Sequence, residues 1–257
     1  MKRAVLWLAA IGATIALTVL VFLPATWLGS IIEERTGGRL TLGDAQGTLW
    51  RGSAYIGGAA GASGAVTPLL PGRFAWTLSP LLLLGQVDMT LENAEALTQP
   101  VSLNGSWSEW QLSPAALLLP AERLAGLGAP LNTLAPSGAV KLSWSTLQLA
   151  RAGNRVAVTG HTLLALSDMG SRMAPVKPLG SYEMAMDWRG QQADLSLSTV
   201  RGALLLSGKG KLDQGRFQFS GQAQAADGYE DTLGNLLNLL GQRRMVNGKK
   251  IIALEFK

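Results

Sequence analysis

The chain of 257 residues contains no cysteine and only one histidine, and both facts limit the catalytic and metal-binding sites that it can form. Without cysteine there is no disulfide, no thiolate nucleophile and no cysteine-ligated metal. His161 alone cannot form a histidine-rich metal site, and a Ser-His-Asp triad would depend entirely on it. It follows an alternating apolar run, which predicts a position at the end of a strand. We therefore expect no catalytic, cofactor-binding or metal-binding residues, and we predict that the protein is not an enzyme.

Motifs for hydrolysis and phosphate binding are also absent. Gly-x-Ser-x-Gly does not occur. The stretch from Gly202 to Lys209 resembles a P-loop, but it is one residue too long, and Gly210 stands where Ser or Thr is required. No carboxylate cluster resembles a metal loop, and Asp187 and Asp194 are interpreted as solvated side chains on polar strand faces.

Charge is scarce: 15 % of the residues are charged, against about 25 % in typical soluble domains. The net charge of +5 includes Lys2 and Arg3, and the other cations are scattered along the chain. Scattered cations do not indicate nucleic-acid binding. The low charge instead predicts a body with much apolar surface to cover.

Residues 4–23 form a run without any charge. A helix of that length is about 30 Å long, which matches the hydrocarbon core of a bilayer. The alternative is a cleaved signal peptide, but its apolar core is normally only about 7–15 residues and precedes a small-residue cleavage site, and no clean match to such a site follows here. We predict an uncleaved anchor over residues 1–28 and a periplasmic β-rich domain over residues 29–257. Because Lys2 and Arg3 flank the N-terminal end of this run, we expect the N-terminus in the cytoplasm and the rest of the chain on the other side of the membrane.

Alternation of apolar and polar residues dominates from residue 39 onward. The clearest strand places Tyr182, Met184, Met186 and Trp188 on one face. One-faced strands separated by short turn sequences are typical of antiparallel sheets. The prediction is a mainly β fold in which a single transmembrane helix precedes an elongated, curved antiparallel sheet with a few short helices.

Two short helices are predicted from their bracketing residues. One begins at Ser79-Pro80 and ends at Gly85. The other begins at Ser113-Pro114, and Pro120 stops it. Both enclose leucine-rich runs.

A longer helix is predicted from Tyr229 to Leu240. Its apolar residues recur at helical spacing on one face: Leu233, Leu236, Leu237 and Leu240. The remaining face is polar, so the helix is amphipathic. We expect this leucine stripe to lie across the sheet as a lid, and the alternative is that it binds a partner protein.

The stretch Gly47-Thr48-Leu49-Trp50-Arg51-Gly52-Ser53-Ala54 resembles the region after the anchor in the type II secretion system protein N family, also called general secretion pathway protein N. Three other stretches are also similar to that family: Leu23-Pro24-Ala25, Trp76-x-Leu78-x-Pro80, and Leu236-Leu237-x-Leu239-Leu240-Gly241. The resemblance covers essentially the whole chain. It implies a non-catalytic accessory component of the inner membrane that serves the export of folded proteins across the outer membrane. Its implied partners are other inner-membrane or periplasmic components of that machinery.

Gly47 and Gly52 bracket Trp50, which suits a tight turn that presents a large ring for packing. Trp50 is predicted as a core anchor, with a partner contact as the alternative. Together with the leucine stripe it completes the candidate interaction or packing residues. The predicted shape also resembles the AsmA-like periplasmic proteins, which implies an apolar groove for lipid binding or transport as the alternative function.

Overall fold

A computed structural model describes residues 2–59, 61, 64–128, 131–153, 155–240, 242–246 and 249–256. Strands account for more than half of the described residues, which confirms the mainly β prediction. The helices are α1 (Lys2–Val21), α2 (Thr26–Arg35), α3 (Leu131–Leu134) and α4 (Glu230–Leu240), with 3-10 helices at Pro80–Leu84 and Ala121–Leu127. The strands are β1 (Leu40–Gly47), β2 (Arg51–Gly58), β3 (Thr67–Pro68), β4 (Phe74–Leu78), β5 (Gln86–Glu92), β6 (Val101–Ser106), β7 (Glu109–Leu112), β8 (Ala115–Pro120), β9 (Pro136–Trp144), β10 (Leu147–Ala152), β11 (Arg155–Ser171), β12 (Gly180–Gly190), β13 (Gln192–Gly202), β14 (Leu204–Asp213), β15 (Arg216–Ala225), β16 (Gln242–Val246) and β17 (Lys249–Phe256).

These strands form one sheet, and every pairing among the described residues is antiparallel. Most neighbours in the chain are also neighbours in the sheet, because tight turns join them. The turn between β12 and β13 has Gly190 at φ 71°, and the turn between β14 and β15 has Gln214 at 49° and Gly215 at 85°. In the second turn, positive φ at both central residues suits a two-residue hairpin, because it matches the twist of the strands.

Two pairs of strands join end to end in the middle of the sheet. Leu112 pairs with Leu147 and Ala115 pairs with Trp144, so β7 and β8 face β10 and β9 in a single register. The long strand β11 then pairs with both β10 and β9 along one edge and with β12 along the other. The centre of the sheet is therefore built from strands about twice the usual length.

The N-terminal segment is helical, and its described side chains include the exposed Trp7, Ile11, Ile15 and Val19. The structure does not confirm the predicted transmembrane anchor. Among the residues that it describes, no helix is both long and apolar enough to cross a membrane. The boundary at residue 28 and the orientation in the membrane stay predictions.

The predicted helix after Ser113-Pro114 is wrong, because residues 115–120 form strand β8. Residues of β8 pair with β9, and the carbonyl oxygen of Ser113 accepts a hydrogen bond from the Trp144 indole at 2.8 Å. Pairing with a neighbouring strand overrides the local capping pattern.

The helix predicted after Ser79 is confirmed as a 3-10 helix. Ser79 Oγ accepts from the backbone N–H of Leu81 at 3.3 Å, and Gly85 ends the turn at φ 93°. The helix predicted from Tyr229 is confirmed as α4, which begins one residue later.

His161 lies within β11 rather than at a strand end, so that prediction is wrong. The strand continues past it because residues on both sides pair with β12. Its exposed ring is hydrogen-bonded through Nδ1 to the carboxylate of Asp187.

Buried side chains gather in three clusters. The first lies under α4, the second lies beneath the loop between β5 and β6, and the third lies where α2 meets β1, β2 and β4. The first cluster contains the candidate residues Leu233, Leu236 and Leu237, and the third contains Trp76.

Candidate interaction sites

Trp50 lies in the turn between β1 and β2. Gly47 enters this turn at φ 86°, which an L side chain rarely adopts, and the N–H of Thr48 donates to the carbonyl of Arg51 at 2.8 Å. Gly47 therefore shapes the turn that carries the tryptophan.

Hydrogen bonds connect the same turn to the end of α1. The indole N–H of Trp50 donates to the carbonyl of Leu20 at 2.8 Å, and the ring is 9 % exposed. The N–H of Leu49 donates to the carbonyl of Leu23 at 2.8 Å, and that of Ala25 donates to Gly47 at 3.1 Å. Two of these carbonyls belong to the C-terminal end of the helix and the segment after it, where helical partners run out. Trp50 thus forms a buried contact between α1 and the sheet, which we call the tryptophan joint.

A second tryptophan, Trp76 of β4, completes this joint. Its indole N–H donates to the carbonyl of Leu49 at 3.0 Å, and its ring covers Gly52. A β-carbon at Gly52 would collide with the ring and lie 2.8 Å from the carbonyl oxygens of Gln46 and Thr48. The glycine in this stretch of sequence is therefore required by a close approach, not by an unusual φ.

Helix α4 lies on β15 and β17. Leu233 is fully buried, and Leu236 and Leu237 are also buried. They pack in one cluster with residues of the underlying strands, including Ala223 and Ile252. The side chain of Leu240 lies outside the described residues, although its backbone ends the helix.

The glycines that resemble part of a P-loop have a packing role. Gly208 and Gly210 lie inside β14, and the ring of Phe219 from β15 lies against them. A β-carbon at Gly208 would overlap the ring, and one at Gly221 would lie 2.7 Å from it. A cross-strand pair of a glycine and an aromatic ring explains the pattern without any ligand.

A ladder of mostly apolar side chains crosses the centre of the sheet. In β9, β11, β12 and β13, the register aligns Trp144, Thr162, Met186 and Leu195 side by side. Leu195 is buried, but the other three are only half-buried, whereas Asp187 on the opposite face is exposed. The predicted apolar face of β12 is confirmed, and it keeps accessible apolar surface.

Charge on the sheet is exposed and paired locally. Asp194 lies 3.4 Å from Arg189, and Asp168 lies 2.8 Å from Arg201, measured between carboxylate oxygen and guanidinium nitrogen. No group of three or more His, Cys, Asp or Glu that could hold a metal is found in the described part of the chain.

Three of the described groups have shifted pKa values, and two of them, Asp44 and Arg73, form one ion pair that also raises the pKa of Arg73. The guanidinium of Arg73, 2.7 Å away, hydrogen-bonds to Asp44 and lowers the pKa of that carboxyl. Burial raises the pKa of Tyr182 to about 12, because the ionised phenol would be poorly solvated. The Tyr182 hydroxyl donates to the carbonyl of Leu204 at 3.1 Å. The ion pair favours the charged forms of its two partners, and burial favours the neutral phenol.

The sequence did not predict the packing roles of Trp76 and Phe219, nor the hydrogen bond that the carbonyl of Leu20 accepts. The two aromatic residues were visible in the sequence, but nothing local showed which glycines they cover. The structure brings Trp50 to the end of α1 and the leucine stripe to β15 and β17, so the two candidate sites are separate.

Comparison with known protein families assigns most of the chain to one of them. The model of the family described as type II secretion system (T2SS), protein N, matches residues 38–250. No curated protein and no solved structure matches the chain.

Proposed function

Because this chain belongs to the type II secretion system protein N family, we propose that it serves that system as a non-catalytic interaction protein in the export of folded proteins across the outer membrane. The observation that carries the proposal is the family match, which covers residues 38–250 and so includes nearly the whole sheet. Its partners are other components of the secretion machinery.

The non-catalytic role rests on the available chemistry. The chain has no cysteine, and its one histidine is an exposed residue bonded to Asp187. A nucleophile and a positioned base within hydrogen-bond reach are what acyl or phosphoryl transfer would require. A protein that binds and positions partners needs neither.

We further propose that the protein is held at the bacterial inner membrane by residues 1–28 and that the sheet lies in the periplasm. The uncharged run of residues 4–23 and the preceding Lys2 and Arg3 support this location. The hydrogen bonds from Trp50 and Leu49 would then fix the sheet directly against the anchor.

A deletion strain tests the function. We expect it to retain exoproteins in the periplasm, and we expect the wild-type chain to restore secretion. The matched control is Asp187→Asn, which changes an exposed carboxylate and should restore secretion equally. Normal secretion by the deletion strain would contradict the proposal.

A second candidate function, lipid binding or transport on the sheet, is favoured by the apolar ladder over β9, β11, β12 and β13. Large side chains that remain half-buried form a surface that acyl chains can cover. Met186 lies at the centre of that surface, and its neighbour Asp187 points to the opposite face.

Lipid extraction from the purified full chain tests this candidate. Met186→Asp should reduce the bound phospholipid, because a charge in an acyl groove is costly, while Asp187→Asn should leave it unchanged. Altered outer-membrane lipids in the deletion strain, with normal secretion, would favour this candidate over the first. Absence of bound lipid in the wild-type chain would exclude it.

A further inference from the structure

The 3-10 turn between β4 and β5 exposes leucine side chains to solvent. Its backbone is fixed at both ends: the N–H of Ser79 at the start donates to the carbonyl of Asp88 at 2.8 Å, and the N–H of Gly85 at the end donates to the carbonyl of Leu82 at 3.2 Å. Leu84 is 83 % exposed, which is the largest exposure of any large apolar side chain among the described residues. Leu81 and Leu83 are exposed as well. A well-capped turn that exposes three leucines is costly in water and indicates an apolar partner.

A tryptophan from the neighbouring hairpin extends this surface. Trp107 lies in the turn between β6 and β7, and its indole N–H donates to the carbonyl of Leu82 at 2.6 Å. Its ring remains 56 % exposed. Because the one polar group of the ring is already bonded, the ring can enter an apolar environment without leaving a donor unpaired.

The exposed leucines of the turn lie next to the end of α1. Leu83 lines a cavity of about 660 Å³ together with Leu20 and Val21 from the end of that helix. Val21 and Phe22 are both exposed beside it. The leucine turn (Leu81, Leu83, Leu84 and Trp107) thus lies beside the exposed apolar residues at the end of α1, across a cavity that Arg51 and Asp88 also line.

We propose that the leucine turn is a second membrane contact, which inserts into the headgroup and upper acyl region of a phospholipid bilayer beside α1. Leucine and tryptophan are the residue types that favour this depth. A rigid turn on a β-hairpin then fixes the tilt of the sheet relative to the membrane, which a single helix alone would leave free. The inference rests on the proposed attachment of α1 to the membrane.

Single-cysteine labelling tests the contact in the full chain, because the protein has no cysteine of its own. Three variants carry an environment-sensitive fluorophore: Val19→Cys in α1, Leu84→Cys in the leucine turn, and Val200→Cys near the opposite end of the sheet. All three positions are exposed, so labelling should not disturb the fold. Each variant is reconstituted into vesicles of phosphatidylethanolamine and phosphatidylglycerol that contain a doxyl-labelled phospholipid as quencher.

We expect the fluorophores at Val19 and Leu84 to be quenched strongly and the one at Val200 to keep its emission. Adding Leu81→Ser and Leu83→Ser to the Leu84→Cys variant should reduce the quenching there without changing that at Val19.

The three positions separate the possible failures. Quenching at Val19 without quenching at Leu84 overturns the inference, leaves the membrane attachment standing, and assigns the turn to a protein partner. Absence of quenching at all three positions overturns the attachment as well. Equal quenching at Leu84 and Val200 also overturns the inference, because the turn would then not be a localised contact.

Discussion

The tryptophan joint explains why a glycine is required at position 52. Gly52 and Gly43 are both glycines of the β1–β2 pair, yet their surroundings differ. A β-carbon at Gly52 meets the Trp76 ring and two carbonyl oxygens, while one at Gly43 would make only ordinary contacts at 3.9 Å with Tyr55.

These surroundings predict opposite outcomes for the same substitution. Gly52→Ala should lower the free energy of unfolding by about 1–3 kcal/mol, since overpacking forces the ring or the backbone to move. Gly43→Ala should be nearly neutral or slightly stabilising, because it reduces the freedom of the unfolded chain. Denaturant titration of the full chain in detergent measures both. A similar loss for both variants would mean that the Trp76 contact does not matter.

Tyr182 predicts a pH effect. Its pKa of about 12 lies above the ordinary value of 10, so the folded state favours the neutral phenol. The stabilisation is complete below pH 10 and is lost as the pH rises from about 10 to 12. Tyr182→Phe removes this pH-dependent stabilisation, so the free energy of unfolding should fall less between pH 10 and pH 12 than in the wild-type chain. The variant should also be less stable at pH 7 by roughly 1 kcal/mol, because the hydrogen bond to Leu204 is lost. Parallel denaturation curves at pH 8 and pH 11 give the comparison, and equal losses in both proteins would contradict it.

Among the elements, α4 shows how a short helix depends on its docking surface. Eleven residues are marginal as an isolated helix, so most of its stability comes from packing. Leu233 is the most deeply buried of the three leucines in the stripe whose side chains the structure describes, whereas Asn238 is exposed.

Leu233→Ala should therefore lower the free energy of unfolding by about 2–5 kcal/mol through the cavity it leaves. Asn238→Ala is the matched control in the same helix and should change it by less than about 0.5 kcal/mol. Protein level in cells, together with denaturant titration, checks the pair. A Leu233→Ala protein that is stable but no longer supports secretion would instead assign the stripe to a partner.

The two Ser-Pro segments show the limit of element prediction. Both begin with the same dipeptide and continue with leucines, but only the segment at Ser79 forms a helical turn. Ala115 pairs with Trp144 in the register already set by Leu112 and Leu147, and that continuation makes a strand. A capping pattern describes one segment, whereas strand pairing involves two distant ones.

On the scale of the whole molecule, the attachment to the membrane is the largest open prediction. The full chain should remain in the membrane pellet after alkaline extraction, because residues 4–23 contain no charge. Immunodetection in the pellet and the supernatant measures this. Recovery of a soluble form that begins near Ser30 would contradict it and favour a cleaved signal peptide.

The sequence by itself determined the mainly β class, the helix at α4, the capped turn at Ser79 and the face of β12 that carries Met184 and Met186. These depend on alternation and capping, which are properties of consecutive residues. The family was also recognisable, because the stretch around Trp50 keeps its residue types in order. Only the tertiary structure decided that β7 and β8 continue in one register, that His161 lies within a strand, and that Gly52 and Gly208 make room for aromatic rings. Each of these depends on a contact between segments far apart in the chain. Hydrogen bonds between strands and ring contacts across a sheet form only after folding has brought those segments together, so no local pattern specifies them.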